Sequence, residues 1–160
     1  MSKLNPYDSF LNGRQPQEIV ASTPGALASV LAVIGPDKVS TSPAPGKWSP
    51  AEIVCHLADC ETVFAFRLRQ TLAEDVPTLQ PFDQDKWAAT YHGVSATFAF
   101  EVFSAMRSWN LHLIQTSLPL AADRQVIHPE RGTMTFQTIV ETMAGHDLNH
   151  LAQLHKLAGS

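Results

Sequence analysis

The stretch from Thr135 to Leu157 constrains the fold more than any other part of the chain. At 100° per residue, Phe136, Ile139, Met143, His146, His150, Leu154 and Leu157 follow one another at steps of three and four along one helical stripe. A helix buries its apolar stripe against neighbours, so a chain built this way has to take two imidazoles inside with it. A buried imidazole needs partners for its ring nitrogens. His146 and His150 stand at i and i+4, roughly 5–6 Å apart at Cβ, a spacing at which two imidazoles can share one metal ion. Gln153 falls on the same face, while His155 points elsewhere. Thr135 is the expected N-cap, with Met134 and Ile139 spaced as a hydrophobic staple.

A second helix supplies a third histidine. Ser49-Pro50-Ala51-Glu52 reads as a capping box, with Trp48 and Ile53 as its staple, and predicts a helix from Pro50 to about Leu72. On it His56, Cys60, Val63 and Arg67 lie nearly in line, flanked by Ile53 and Phe64. Three core-facing imidazoles in one small core are costly unless a metal ion or a solvated cleft satisfies them. A site of three protein ligands with an open position is the pattern of a catalytic zinc-like centre. The alternative is that His146 and His150 border a wet cleft and bond to water or carboxylates.

Two further helices are expected. The first runs from about Pro16 to Ile34, carries Ile19, Leu27, Val30, Leu31 and Ile34, and ends at Gly35-Pro36; Pro24 inside it should kink or split it. Another runs from about Ser95 to Leu118, with Phe98, Val102, Ala105, Trp109 and Leu113 as its core stripe and Pro119 as its stop. Long connections at 74–94 and 120–134 join the last three helices. Val126–Ile127 and Thr133–Met134 can pair as a short hairpin. Four long helices without a strand pattern predict an all-α four-helix bundle, one domain over residues 1–160.

Composition narrows the function. The 160 residues include seven histidines but only 16% charged residues, with a net charge of -4. No basic footprint supports nucleic-acid binding. No apolar run approaches a membrane span, and the first residues lack a signal-peptide core, so a cytoplasmic location is expected. Cys55 and Cys60, five residues apart on one helix, are not placed for a disulfide.

The ordered set of motifs resembles the DinB-like superfamily of metal-binding four-helix bundles. The run from Pro43 to Glu61, with its Lys47-Trp48-Ser49 start and His56-x-x-Asp59-x-Glu61, carries the resemblance. Phe64-Ala65-Phe66-Arg67, Phe82-Asp83-Gln84-Asp85 and Gly145-His146-Asp147-Leu148-Asn149-His150 continue it in the same order. It implies an up-down-down-up bundle, commonly a homodimer, in which His56, His146 and His150 ligate one divalent metal, zinc or nickel. It also implies, as the leading reading, a thiol S-transferase acting on a low-molecular-weight thiol and an electrophilic substrate. A metal-dependent hydrolase and a non-catalytic metal-binding stress-response bundle are the alternatives. Some members carry a further His where this chain has Asn149.

Around such a metal, Asp59 or Glu61 is expected to orient a ligand histidine or to act as an occasional fourth ligand. Arg67 is expected to pair with Asp83 or Asp85, or to bind a substrate carboxylate. Gln153 is a further candidate beside the ligands. Cys60 and Cys55 read as apolar filler. His92, His112 and His128 read as surface groups, with the segment from His128 to Arg131 a candidate cleft wall. Trp48 and Trp109 read as core, and Phe82 and Trp87 as pocket walls.

Overall fold

A computed structural model describes residues 4–159. In chain order its elements are α1 (Asp8–Leu11), α2 (Pro16–Ile34), α3 (Pro50–Ala73), α4 (Gln84–Ala88), α5 (Ala96–Ala121), β1 (Gln125–His128), β2 (Gly132–Thr135) and α6 (Phe136–Ala158). The four long helices form the expected bundle; α1 precedes it, and α4, β1 and β2 lie in its two long connections.

Two buried clusters define the helix directions. In one, Ile19 and Val20 of α2 meet Phe64 and Leu68 of α3, Ile114 and Leu118 of α5, and Phe136 to Ala144 of α6. In the other, Leu27 to Ile34 of α2 meet Ile53 to Ala58 of α3, Ala99 and Phe103 of α5, and Leu151 and Leu154 of α6. So α2 and α6 run one way while α3 and α5 run the other, which is up-down-down-up. The local signals for α3 are realised: Ser49 Oγ accepts from Glu52 N at 3.3 Å and Glu52 Oε2 accepts from Ser49 N at 2.7 Å. Thr135 caps α6, accepting from Thr138 N at 3.2 Å. The hairpin pairs Val126 with Met134 and Ile127 with Thr133.

Three expectations are corrected. Pro24 does not split α2, which is continuous across it. A proline there leaves the Val20 carbonyl without its i+4 donor, and Arg107 Nη1 fills the gap from α5 at 2.9 Å. Pro119 does not stop α5, which runs on to Ala121. The core stripe of α5 is turned by one residue from the one expected. Its buried positions are Ala99, Phe103, Arg107, Asn110, Ile114, Leu118 and Ala121, while Phe98 and Trp109 are 61% and 60% exposed. Trp109 therefore lies outside the core, with the Arg69 guanidinium over its ring at 5.3 Å. By length and composition α2 is long and apolar enough to cross a membrane. Here Ile19, Val20, Leu27, Val30 and Ile34 are instead packed into the bundle.

The α5 register brings a charged layer between the two apolar clusters. Arg107, 1% exposed, donates Nε and Nη2 to Glu61 Oε1 at 3.0 and 2.6 Å, Nη1 to Asp147 Oδ2 at 2.7 Å and Nη2 to Asp147 Oδ1 at 3.0 Å. Thr23 Oγ1 donates to Asp147 Oδ2 at 2.8 Å, and Asn110 Nδ2 donates to Glu61 Oε2 at 3.0 Å. All four long helices take part. Burial pulls the Arg107 proton affinity down, but Asp147 and Glu61 outweigh it and raise the value, so the guanidinium stays charged.

Removing one member of such a layer strands buried charge. Arg107→Met should cost about 3–5 kcal/mol of unfolding free energy. Trp109→Ala should cost about 1 kcal/mol or less, although both positions sit on the same helix. Urea unfolding of the two variants checks the α5 register, and the opposite ranking would contradict it.

Candidate metal centre

The three histidines converge from two helices. α3 presents His56 and α6 presents His146 and His150, all buried. Nε2 of His146 lies 3.0 Å from Nε2 of His56 and 3.1 Å from Nε2 of His150. One ring nitrogen from each lies within 4.8 Å of the others. Nitrogens held about 2.1 Å from one ion stand roughly 3.0–3.4 Å apart at ordinary coordination angles, so this spacing fits a shared ion.

Proton placement supports the same reading. His150 Nδ1 stands 3.1 Å from Gln153 Oε1, which places its proton on Nδ1 and leaves the Nε2 lone pair facing the other rings. Lone pairs converging in a dry site repel unless a cation lies between them. The neighbouring layer adds to this: Glu61 and Asp147, when both ionised, leave one negative charge in excess over Arg107. A divalent cation beside it would be electrostatically welcome. Among the described residues, His146 Nδ1 is buried without a protein partner.

The surroundings are aromatic and tight. Trp48 lies tilted against His56 at 4.9 Å between ring centroids, and Tyr7 meets His146 edge-on at 5.4 Å. Tyr7 can come this close because residue 145 is glycine. A Cβ there would stand 2.6 Å from Tyr7 Cβ and 2.7 Å from its carbonyl oxygen. Cys60 Sγ lies 3.5 Å from His56 Nε2 and 3.8 Å from His146 Nε2. It borders the triad rather than merely filling core. Burial, then the charges of Glu61, Asp59 and Asp147, pushes its thiol well up, so it is protonated.

The other expected site residues sort differently. Gln153 touches His150. Asp59 accepts from Tyr91 Oη at 2.7 Å, and Glu61 belongs to the Arg107 layer, so among the described contacts neither carboxylate orients a ligand histidine. Arg67 is not paired with Asp83 or Asp85. Its Nη2 donates to the Gln80 carbonyl at 3.2 Å, and Asp83 instead caps α4 and pairs with Lys86 at 3.1 Å. His128 is buried rather than on the surface, while His92 and His112 are exposed. A cavity of about 190 Å³ opens beside the triad, bordered by His56, His146 and Cys60, by Arg67 and Phe82, and by His128 to Arg131 apart from Pro129. Trp87 lies tilted against Phe82, 4.9 Å between ring centroids, behind that wall.

Sequence reasoning missed Arg107, Asn110, Asp147 and Tyr7. A signal existed for the first two. Reading α5 one residue later gives Phe103, Arg107, Asn110 and Ile114, a stripe in which two polar residues flank the helix midpoint.

Comparison with known proteins agrees with this picture. A family model described as the DinB superfamily matches residues 20–154, and the chain belongs to that superfamily. A Geobacillus thermodenitrificans protein named "Putative metal-dependent hydrolase" is 27% identical over 144 residues, 86% of this chain and 79% of that one. A protein of the same description from Oceanobacillus iheyensis is 24% identical over 139 residues, 86% of this chain and 81% of its own length. The structure of Bacillus subtilis YfiT, described as "a probable metal-dependent hydrolase with an unusual four-helix bundle topology", superposes with a TM-score of 0.78. It covers 90% of this chain and 86% of YfiT at 19% identity, a likeness of fold.

The buried imidazoles make the metal-free protein sensitive to acid. Burial lowers His56 to about 3, with the neighbouring His150 adding to the effect, and burial likewise lowers His146 and His150. Below about pH 6.5 the unfolded chain binds protons that the folded chain refuses, so stability is full above that pH and falls as pH drops toward 3. Each histidine steepens the fall by at most about 1.4 kcal/mol per pH unit. Chemical denaturation of chelator-treated protein from pH 7.5 to 4.5 should show this fall, and His146→Asn should flatten it. A profile unchanged by that substitution would contradict the buried triad.

Proposed function

We propose that this chain is a divalent-metal-dependent enzyme whose centre is held by His56, His146 and His150. The observation that carries the proposal is the convergence of three Nε2 atoms at the edge of a cavity large enough for a small molecule. An all-imidazole set suits zinc or nickel, which are the metals proposed. When bound, such an ion supplies Lewis acidity and draws the pKa of a water or thiol in its open position toward neutrality.

The chain's own residues then bind and orient. Gln153 fixes the ring of His150, and Tyr7, Trp48 and Phe64 keep bulk water off the triad. His128 Nδ1 accepts from Glu130 N at 3.2 Å, which places its ring proton on Nε2. Burial, with the charges of Arg131 and Arg67, lowers the His128 proton affinity, so at neutral pH it is an uncharged hydrogen-bond donor. In the metal-free chain burial holds Cys60 as a thiol. The proposed attacking group is a water or thiol from solution.

Two forms of the reaction are proposed. Hydrolysis, with water as nucleophile, is supported by the names of the relatives. Thiol S-transfer, with a low-molecular-weight thiol and an electrophilic substrate, is supported by the sequence resemblance and needs no protein base beyond the ligands. A homodimer in the cytoplasm is proposed with both.

Metal analysis of native protein should find about one equivalent of a first-row transition metal per chain. If the site is filled at about a thousandfold above Kd, chelation should remove roughly 4 kcal/mol of stability, and His146→Ala should abolish that chelator response. Metal-loaded protein is then assayed with an activated ester alone and with a thiol plus an alkylating dye. Turnover of the ester without thiol supports hydrolysis, and thiol-dependent dye conjugation supports transfer. Chains that retain no metal after reconstitution would rule out both.

A further inference from the structure

The cavity beside the triad is lined on its far side by two arginines that the chain does not neutralise. Arg67 comes from α3, one helical face along from His56 and Cys60, and Arg131 comes from the turn between β1 and β2. Among the described residues neither guanidinium has a carboxylate within ion-pair distance, whereas Arg107 and Lys86 do. Arg67 spends one of its five N–H groups on the Gln80 carbonyl, and its Nε is buried with no partner. Among the described residues the hydrogen bond of Arg131 is a backbone one, from its N to the His128 carbonyl at 3.2 Å. Like charges are held together here by the fold. The parallel bridge of Thr78 with Ile127 brings the 77–82 loop against the hairpin, so both walls of the cavity are anchored. Arg67 and Arg131 border the same cavity, and the Arg67 proton affinity is lowered by burial and then by the charge of Arg131. Glu130 also borders the cavity but forms no ion pair with either arginine among the described residues, and one carboxylate against two guanidiniums leaves the lining positive.

We propose that Arg67 and Arg131 form the anion-binding end of the substrate site, and that this protein acts on small molecules bearing a carboxylate or phosphate. The guanidinium fork matches either group in two-point contact. His128 Nε2 adds a neutral donor to the lining, and His56 and His146 of the triad border the same cavity. The cavity of about 190 Å³ is smaller than the roughly 300–1,000 Å³ of drug-sized ligand pockets, which favours a substrate of few atoms. The anion would then be the handle by which the reacting centre is aimed at the triad. The proposal rests on the metal-dependent reading for its chemistry, but not for the binding itself.

The test is a two-dimensional NMR titration of the full chain, following the arginine Nε–H signals, with succinate, inorganic phosphate and neutral succinamide as probes. Both the metal-loaded and the chelator-treated protein are titrated. Succinate or phosphate should bind and shift the Arg67 Nε–H signal, and succinamide should bind at least about tenfold more weakly. Arg67→Gln and Arg131→Gln should each weaken anion binding by roughly tenfold or more. Arg131 is on a half-exposed turn, so its variant remains informative should Arg67→Gln fail to fold. Tighter succinate assigns a carboxylate handle and tighter phosphate a phosphate handle. Anion binding that persists in both variants, or equal binding of succinamide, would overturn the proposal. Arginine-dependent binding in a chain that never takes up metal would leave this proposal standing and remove the metal-dependent one.

Discussion

Arg107 lies where the bundle can least tolerate an unpaired charge. It sits at the middle of α5 between two apolar clusters and ties Glu61 of α3, Asp147 of α6 and the Val20 carbonyl of α2 together. Burying a guanidinium with two carboxylates is costly, and the arrangement survives because nearly every donor and acceptor is met. Thr23 and Asn110 complete the carboxylate shells. Such a layer contributes less to net stability than to uniqueness. Slide any one helix by a turn and a charge is stranded, so the layer fixes the register of all four.

That register positions the chemistry. Asp147 follows His146 directly, and Glu61 follows Cys60, so the backbone that the layer clamps is the backbone that carries the histidine cluster and its neighbour. The layer and the triad are successive levels of one polar stack. Gly145 contributes by subtraction, since the missing Cβ lets Tyr7 close over His146. The long connections, which look like slack in the chain, become the cavity walls once the 77–82 loop and the β1–β2 turn are bridged to each other.

The sequence alone determined most of the helices, because local rules govern them: capping at Ser49 and Thr135, and the stripes of α2, α3 and α6. It also marked His56, His146 and His150, since a histidine on an apolar stripe is a local anomaly. Tertiary structure decided the rest, for physical reasons visible at single residues. α5 carries two stripes one residue apart, and the more apolar one faces outward because Arg107 has partners inside and Phe98 and Trp109 do not need them. Pro24 should break a helix, and does not, because a side chain from another helix takes the orphaned carbonyl. Whether Arg67 meets an acid or a cavity depends on how a long loop folds back, and helix periodicity carries no information about that. Local pattern determined which side chains must be buried. Only the assembled bundle decided which of them meet, because a buried charge is settled by the partners that other helices bring to it.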